Sequence, residues 1–286
     1  MSYMNSDEIY RILNLPNNEL IQIRNINWFV EKDGWINIQP EYISFCLESL
    51  RLIFNSWYGN KNSDKVWFVN KKVDQDVPCA FPKRGIVNLN MNSLTFNDGC
   101  QLIYQLAHEL THIYLGRENI YNMNKKHMWF EETICELSSI VALKNPIWNN
   151  SIQSSRGFIT NVCDANNYAD RMITEYTKTM NIRDAKISSI YKLNAENLSL
   201  DPYIRELNGL FACKIFNEVN IDYNFWQCIK IFTELDGQVV DILDLFTRWY
   251  YVVETKYQSI VAKIISIFGV EIEAQSNVEN SLQLNN

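Results

Sequence analysis

Glycine is scarce in this sequence, and the few glycines lie far apart. There are nine among 286 residues, and none are clustered as in the GxGxxG and P-loop patterns, which use neighbouring glycines to bring the backbone close to phosphates. The GxSxG elbow of serine hydrolases is missing as well. We therefore expect neither dinucleotide nor nucleoside-triphosphate chemistry.

Long blocks of basic charge and long apolar runs are also missing. The formal net charge is −7, from 26 Lys and Arg against 33 Asp and Glu, which argues against a phosphate-binding surface. The longest apolar stretch, residues 260–270, is interrupted by Lys263, and it is shorter than the roughly 20 residues that cross a bilayer. The sequence predicts no nucleic-acid partner and no membrane association.

Cysteine usage bears on the compartment. The seven cysteines are scattered, odd in number and never spaced as CxxC, which is typical of reduced thiols in a cytosol-like compartment. The first residues carry neither the basic start nor the apolar core of a secretory signal peptide. We expect a cytoplasmic location, or export without a cleavable signal peptide. The sequence indicates no oligomeric state.

The first third of the chain mixes strand and helix patterns. Alternating apolar and polar residues at 27–38 predict a β-hairpin, and strands are predicted at 66–70 and 85–90, on either side of a turn-rich segment at 77–82. Apolar residues at three- and four-residue steps predict a helix over 41–57.

Helical periodicity dominates afterwards. A helix is predicted over 98–115, and further helices over 127–143, 151–175, 200–218, 222–235 and 239–268. We therefore expect an α+β fold. Residues 1–145 are predicted to form an α/β lobe with a small mixed sheet, residues 146–272 an all-helical lobe, and residues 273–286 a polar tail.

The helix at 98–115 contains an HExxH motif, His108-Glu109-Leu110-Thr111-His112. Residues four apart lie on one helical face, so the imidazoles of His108 and His112 can reach one ion while Glu109 stands beside it. The chain has only three histidines, which makes a chance occurrence of this motif rare. We expect one Zn²⁺ ion bound by His108 and His112, with Glu109 as the catalytic base.

A third ligand is needed, because catalytic zinc takes three protein ligands and keeps one position for water. The next predicted helix begins with Trp129-Phe130-Glu131-Glu132-Thr133. Here the sequence resembles the gluzincin clan of zinc peptidases, whose second active-site helix reads aromatic or apolar residues followed by Asn/Glu-Glu-Gly. The resemblance covers residues 85–140. It implies a zincin-like catalytic lobe, Glu132 as the third ligand, and Glu136 as an acid that orients a ligating histidine.

Glu131 competes with Glu132 for the ligand position. The two are adjacent on a helix, and we expect only one of them to point inward. Glu132 is favoured because Glu136 follows it by one turn and can share its face. Thr133 replaces the common glycine of the clan, and Glu131 stands where many members have Asn, which leaves the subfamily open.

Three other residues are less favoured as metal ligands or as a nucleophile. His127 is predicted to be a surface residue at the start of the second helix. Glu118 lies where metzincins place their third ligand, but Leu115 replaces the glycine that this class requires. Cys135 is predicted to be a core thiol rather than a nucleophile.

The resemblance also implies the rest of a peptidase site. Gluzincins stabilise the oxyanion with a Tyr or His from the distal lobe, and since no histidine follows His127 the candidates are Tyr203 and Tyr191. The strand at 85–90 is either a cleft edge that pairs with an extended substrate or an ordinary internal strand.

The predicted function is zinc-dependent endopeptidase action on a peptide or protein substrate, with a metal-activated water as the nucleophile. Hydrolysis of a non-peptide amide is a first alternative. A second is a catalytically inactive zincin fold used for binding or regulation. A third is a structural zinc site, which would need a fourth protein ligand such as His127.

Overall fold

A computed structural model describes the chain in ten ranges. They are residues 4–24, 26–35, 40–59, 64–71, 78–89, 99–115, 127–148, 162–178, 186–235 and 241–272.

The N-terminal part contains a small mixed sheet. Its strands are β1 (Leu20–Gln22), β2 (Trp28–Glu31), β3 (Val66–Val69), β4 (Cys79–Phe81) and β5 (Ile86–Asn88), in the spatial order β1-β2-β3-β5-β4. The central strands β2, β3 and β5 are parallel, and the outer strands β1 and β4 are antiparallel to their neighbours. Helix α2 (Pro40–Tyr58) makes the crossover from β2 to β3 that parallel neighbours require.

Both faces of this sheet are covered. Strand β3 is buried along its whole length, as is typical of a parallel strand with packing on two sides. Val66 and Phe68 face the main core, while Trp67 and Val69 face a smaller cluster under helix α1 (Ser6–Leu13). The alternation of side chains along a strand sends successive residues to opposite faces.

The remaining described elements are helices. They are α3 (Gly99–Leu115), α4 (Met128–Leu143), α5 (Val162–Lys178), α6 (Ile187–Leu200), α7 (Arg205–Glu218), α8 (Tyr223–Glu234), α9 (Ile242–Val252) and α10 (Thr255–Ile267). Helix α4 is central: it packs on α3 and α7, and it is buried at every position from Trp129 to Ile140. Among the described helices, each is too short or too polar to cross a membrane.

One hydrophobic core joins the sheet to the last helix. It includes Trp28 and Phe68 of the sheet, Trp129 of α4, Phe211 of α7 and Phe268 after α10. The α+β class is confirmed. The zincin-like assignment and the lobe boundary at residue 145 stay predictions, and the predicted tail at 273–286 lies outside the described residues.

The predicted β-hairpin at 27–38 is wrong. Strand β2 pairs antiparallel with β1, which precedes it, and parallel with β3 on its other side. Both edges of β2 are therefore occupied, and residues 32–35 after it are not a strand. Residues 36–38 lie outside the described residues.

The other predicted elements are largely confirmed, with three differences. The segment at 77–82 contains strand β4, which is too short to show a recognisable alternation of apolar and polar residues. Helices α1 and α6 and strand β1 were not predicted. The single helix predicted at 239–268 is two helices, because Val253 and Glu254 between them have extended backbone. Residues 151–161 of a predicted helix lie outside the described residues.

Candidate metal centre

The histidines of the HExxH motif lie on the face of α3 that meets α4. Leu102, Leu106 and Leu110 of α3 are fully buried in the core. With its leucines anchored in the core, α3 holds His108 and His112 against the acidic residues of α4. The centroids of the two imidazole rings lie 5.4 Å apart. Carboxylates buried on α4 need polar partners, and the imidazoles supply them.

Glu132 meets the Nε2 atoms of both histidines. Its Oε2 lies 3.2 Å from Nε2 of His108 and its Oε1 lies 3.6 Å from Nε2 of His112. In a tetrahedral zinc site with bonds of about 2.0–2.1 Å, neighbouring ligand atoms lie roughly 3.3 Å apart. Each contact is close to this spacing, and the two contacts involve different oxygens of the Glu132 carboxylate.

Two further carboxylates meet the opposite, Nδ1 edges of the rings. Glu131 Oε1 lies 2.7 Å from Nδ1 of His112, and Glu136 Oε1 lies 3.6 Å from Nδ1 of His108. The hydrogen bond between Nδ1 of His112 and Glu131 fixes the tautomer that leaves Nε2 of His112 free for a metal, while the contact of Glu136 with His108 is at ion-pair distance. The expectation that only one of Glu131 and Glu132 points inward is wrong, because the two acids meet different edges of the same imidazole.

Cys135 also contacts His112. With His108 and His112 it forms a partly buried cluster whose ligand atoms lie within 4.8 Å of one another and can hold a metal ion. Its Sγ is nearly equidistant from Nδ1 and Nε2 of His112, at 3.6 and 3.5 Å, so it lies over the ring face, since a sulfur in the ring plane at these distances would collide with Cε1. Burial raises the pKa of Cys135 to about 12. The sequence predicted only a core thiol.

The expected base, Glu109, is almost fully buried, with 4% of its surface exposed. Burial raises the pKa of its carboxyl, while the adjacent His108 and His112 lower it and Glu132 raises it. A base whose pKa is moved toward neutrality is better matched to proton transfer near pH 7.

The strand nearest the HExxH helix is β4. It packs on α3, and the charge of Glu109 adds to burial in raising the pKa of Cys79, the first residue of β4. Strand β5, at the predicted 85–90 segment, lies between β3 and β4. Of the two interpretations of that segment, the internal strand is correct, and the outer strand beside α3 is β4.

Three of the remaining candidates lie in described parts of the chain. Tyr203 is in the turn between α6 and α7 and is 40% exposed. Tyr191 packs on Trp129 with ring centroids 5.3 Å apart, as a core residue does. His127 does begin α4, but it is buried rather than on the surface, because the whole start of α4 packs in the core. Glu118 lies outside the described residues.

Sequence reasoning missed a polar network behind Glu136. The hydroxyls of Tyr104 and Tyr176 both donate to Oε2 of Glu136, Tyr176 at 2.9 Å. Nε of Arg205 lies 3.6 Å from Oε1 of Glu136 and donates to the Tyr176 hydroxyl at 3.1 Å. Burial raises the pKa of Glu136 to about 7, against the lowering effects of Arg205 and Tyr176. The only indication of this network in the sequence is that Tyr104 lies one helical turn before His108.

Comparisons with protein-family models, with curated proteins and with solved structures found no match to this chain. The functional assignment therefore depends on the geometry of α3, α4 and β4.

Proposed function

We propose that this chain is a zinc-dependent peptidase in which His108, His112 and Glu132 bind one Zn²⁺ ion and Glu109 is the general base. The observation that carries the proposal is the convergence of both Nε2 atoms on the Glu132 carboxylate, at 3.2 and 3.6 Å. Two imidazoles and one carboxylate are a donor set used by catalytic zinc, and three protein ligands leave a position open for water.

The residues around the ligands have matching roles. When bound, a zinc ion supplies a Lewis acid that polarises a carbonyl and lowers the pKa of water. Glu109 accepts the proton of the attacking water and passes it to the leaving amine. Glu131 and Glu136 hold the imidazoles by their Nδ1 edges, so that Nε2 of each ring stays directed toward Glu132.

A peptide is the substrate class that strand β4 supports best. Within the described sheet β4 is the last strand, paired on one side only with β5, and it packs against the HExxH helix. An extended chain can bind such an edge through main-chain hydrogen bonds with little dependence on sequence. A small non-peptide amide would make no use of this edge.

The buried position of Glu109 beside both histidines supports catalysis over a purely binding role. Its carboxyl is buried beside both histidines, and burial of an ionisable group costs free energy. Neither metal binding by three other ligands nor helix packing requires an acid at this position.

Metal removal tests the proposal directly. The purified protein is expected to contain about one zinc per chain and to cleave a quenched fluorescent peptide library. Cleavage should stop after treatment with a chelator and return when Zn²⁺ is supplied, whereas Mg²⁺ should not restore it because it prefers oxygen ligands. Protein that binds no zinc even after the metal is supplied would contradict the proposed function.

Cys135→Ser tests whether the thiol is a ligand. Because Sγ lies over the face of His112, we expect the variant to bind zinc as tightly as the wild type. The Co²⁺-substituted wild type should lack a thiolate-to-cobalt charge-transfer band, and its spectrum should match that of Cys135→Ser. Cys213→Ser, which alters a buried thiol of α7, is the matched control. A charge-transfer band lost only in Cys135→Ser would make Cys135 a ligand.

A further inference from the structure

The carboxylate of Glu136 is held from three sides by different helices. Its own helix is α4, while Tyr104 belongs to α3, Tyr176 to α5 and Arg205 to α7. The two phenol hydroxyls donate to Oε2 and lie 2.9 Å from each other. Only Oε1 is left to face His108 and Arg205, each at 3.6 Å.

This division of the two oxygens limits how the carboxylate can turn. A carboxylate with both phenols on one oxygen cannot rotate without breaking both hydrogen bonds, and hydrogen bonds to a charged acceptor are among the stronger ones. The oxygen that faces Nδ1 of His108 is therefore fixed in place by the two hydrogen bonds that the other oxygen accepts.

We propose that Tyr104 and Tyr176 are positioning residues that hold Glu136 against Nδ1 of His108 and thereby direct Nε2 of His108 toward the metal. The proposal rests on the proposed zinc site, which it deepens. Neither tyrosine is assigned a contact with substrate.

Gly209 gives independent support for a fixed position of Tyr176. A Cβ added at Gly209, inside α7, would lie 2.4 Å from Cδ1 and Cε1 of the Tyr176 ring. Glycine in a helix interior is less stable than alanine, so its presence needs a reason, and the close approach of this ring supplies one. The close packing of α5 on α7 at Gly209 therefore fixes the position of the Tyr176 ring and of its hydroxyl.

The ring of Tyr104 is enclosed in a similar way. Tyr168 of α5 packs edge-on against it with centroids 6.1 Å apart, and the guanidinium of Arg205 lies over its face at 5.5 Å. The hydroxyl of Ser139, on α4, donates to the main-chain carbonyl of Tyr104 at 2.8 Å. Both phenols are therefore fixed by surroundings on more than one helix.

Removal of each hydroxyl tests the inference. Tyr104→Phe and Tyr176→Phe are expected to weaken Zn²⁺ binding by about 10–100-fold, the range for partners that orient a metal-binding histidine. Zinc affinity is measured by competition with a chelator, and the far-UV and near-UV circular dichroism of the metal-free variants reports whether the fold is kept. Tyr114→Phe removes a phenol hydroxyl from the same helix as Tyr104, where it donates to Asn55, and should leave the affinity unchanged.

A double-mutant cycle separates positioning from packing. If Tyr176 acts through Glu136, then Tyr176→Phe should weaken zinc binding in the wild type but cause no further loss in Glu136→Gln, whereas a purely structural effect would be additive. Gly209→Ala should weaken zinc binding as Tyr176→Phe does, because the new methyl group displaces the ring.

The two levels of the proposal fail in different ways. A wild-type protein that binds no zinc overturns the zinc site itself. Zinc binding by the wild type with unchanged affinity in both Tyr→Phe variants, or with additive losses in the cycle, overturns the positioning role and leaves the zinc site standing.

Discussion

Glu109→Gln is expected to keep its zinc and to lose peptide hydrolysis by about 10²–10⁴-fold, the range that a positioned general base contributes. Glutamine has nearly the same shape as glutamate, so it fits the buried position in α3 without disturbing His108 or His112. Its amide cannot accept the proton of the attacking water. The loss should therefore appear in the rate of cleavage and not in the metal content.

The measurement is a comparison of zinc stoichiometry and single-turnover cleavage rate for the wild type and Glu109→Gln, with one peptide from the quenched library. Glu206→Gln, which removes the same charge from an exposed position of α7, is the matched control and should behave as the wild type. Full activity in Glu109→Gln would exclude this residue as the base. Loss of zinc from the variant would mean that Glu109 serves the metal instead.

The burial of Glu109 explains why its effect should be large. A carboxyl with 4% exposure has few waters to compete for the proton it carries, and burial raises its pKa. An exposed carboxyl group would exchange its proton mostly with bulk solvent. The apolar side of α3, anchored by leucines in the core, is what keeps this carboxyl away from water.

Helices α3 and α4 and the proposed ligands on them follow from local sequence patterns. A four-residue spacing fixes one face of a helix, so HExxH specifies the relative places of His108 and His112 wherever the helix lies. The same periodicity carries Glu132 and Glu136 onto one face of α4. The two helices pack antiparallel, so the four-residue spacing on α3 matches the four-residue spacing on α4. Tyr104 contacts Glu136, and one turn further along α3 His108 contacts Glu132.

The parts that could not be predicted depend on contacts between distant segments. Nothing within a few residues of Tyr176 or Arg205 relates them to residue 136, and only the packing of α5 and α7 on α4 brings them there. Strand β4 has three residues, too few for a period-two pattern, and it forms because β5 offers it an edge. The contact of Glu131 with His112 was missed because a helical projection shows only the face on which a residue lies. It does not show that two adjacent acids can contact the two different nitrogens of one imidazole.

Glu132→Gln is expected to weaken zinc binding by more than the roughly 10–100-fold typical of residues that only orient a ligand, while Glu131→Gln should stay within that range. Glu132 meets both Nε2 atoms, and the amide of glutamine carries no charge to balance the ion. Glu131 contacts Nδ1 of His112 at 2.7 Å and is expected to act on the metal only through that ring.

The two variants are matched, since they make the same change at adjacent buried positions, and chelator competition ranks them on one scale. A greater loss for Glu131→Gln than for Glu132→Gln would place the ion at the Nδ1 edge of His112. Glu131 would then be the carboxylate ligand, and Sγ of Cys135, 3.6 Å from Nδ1 of His112, would be close enough to be a further ligand. A charge-transfer band in the Co²⁺ protein would show that the thiolate binds as well.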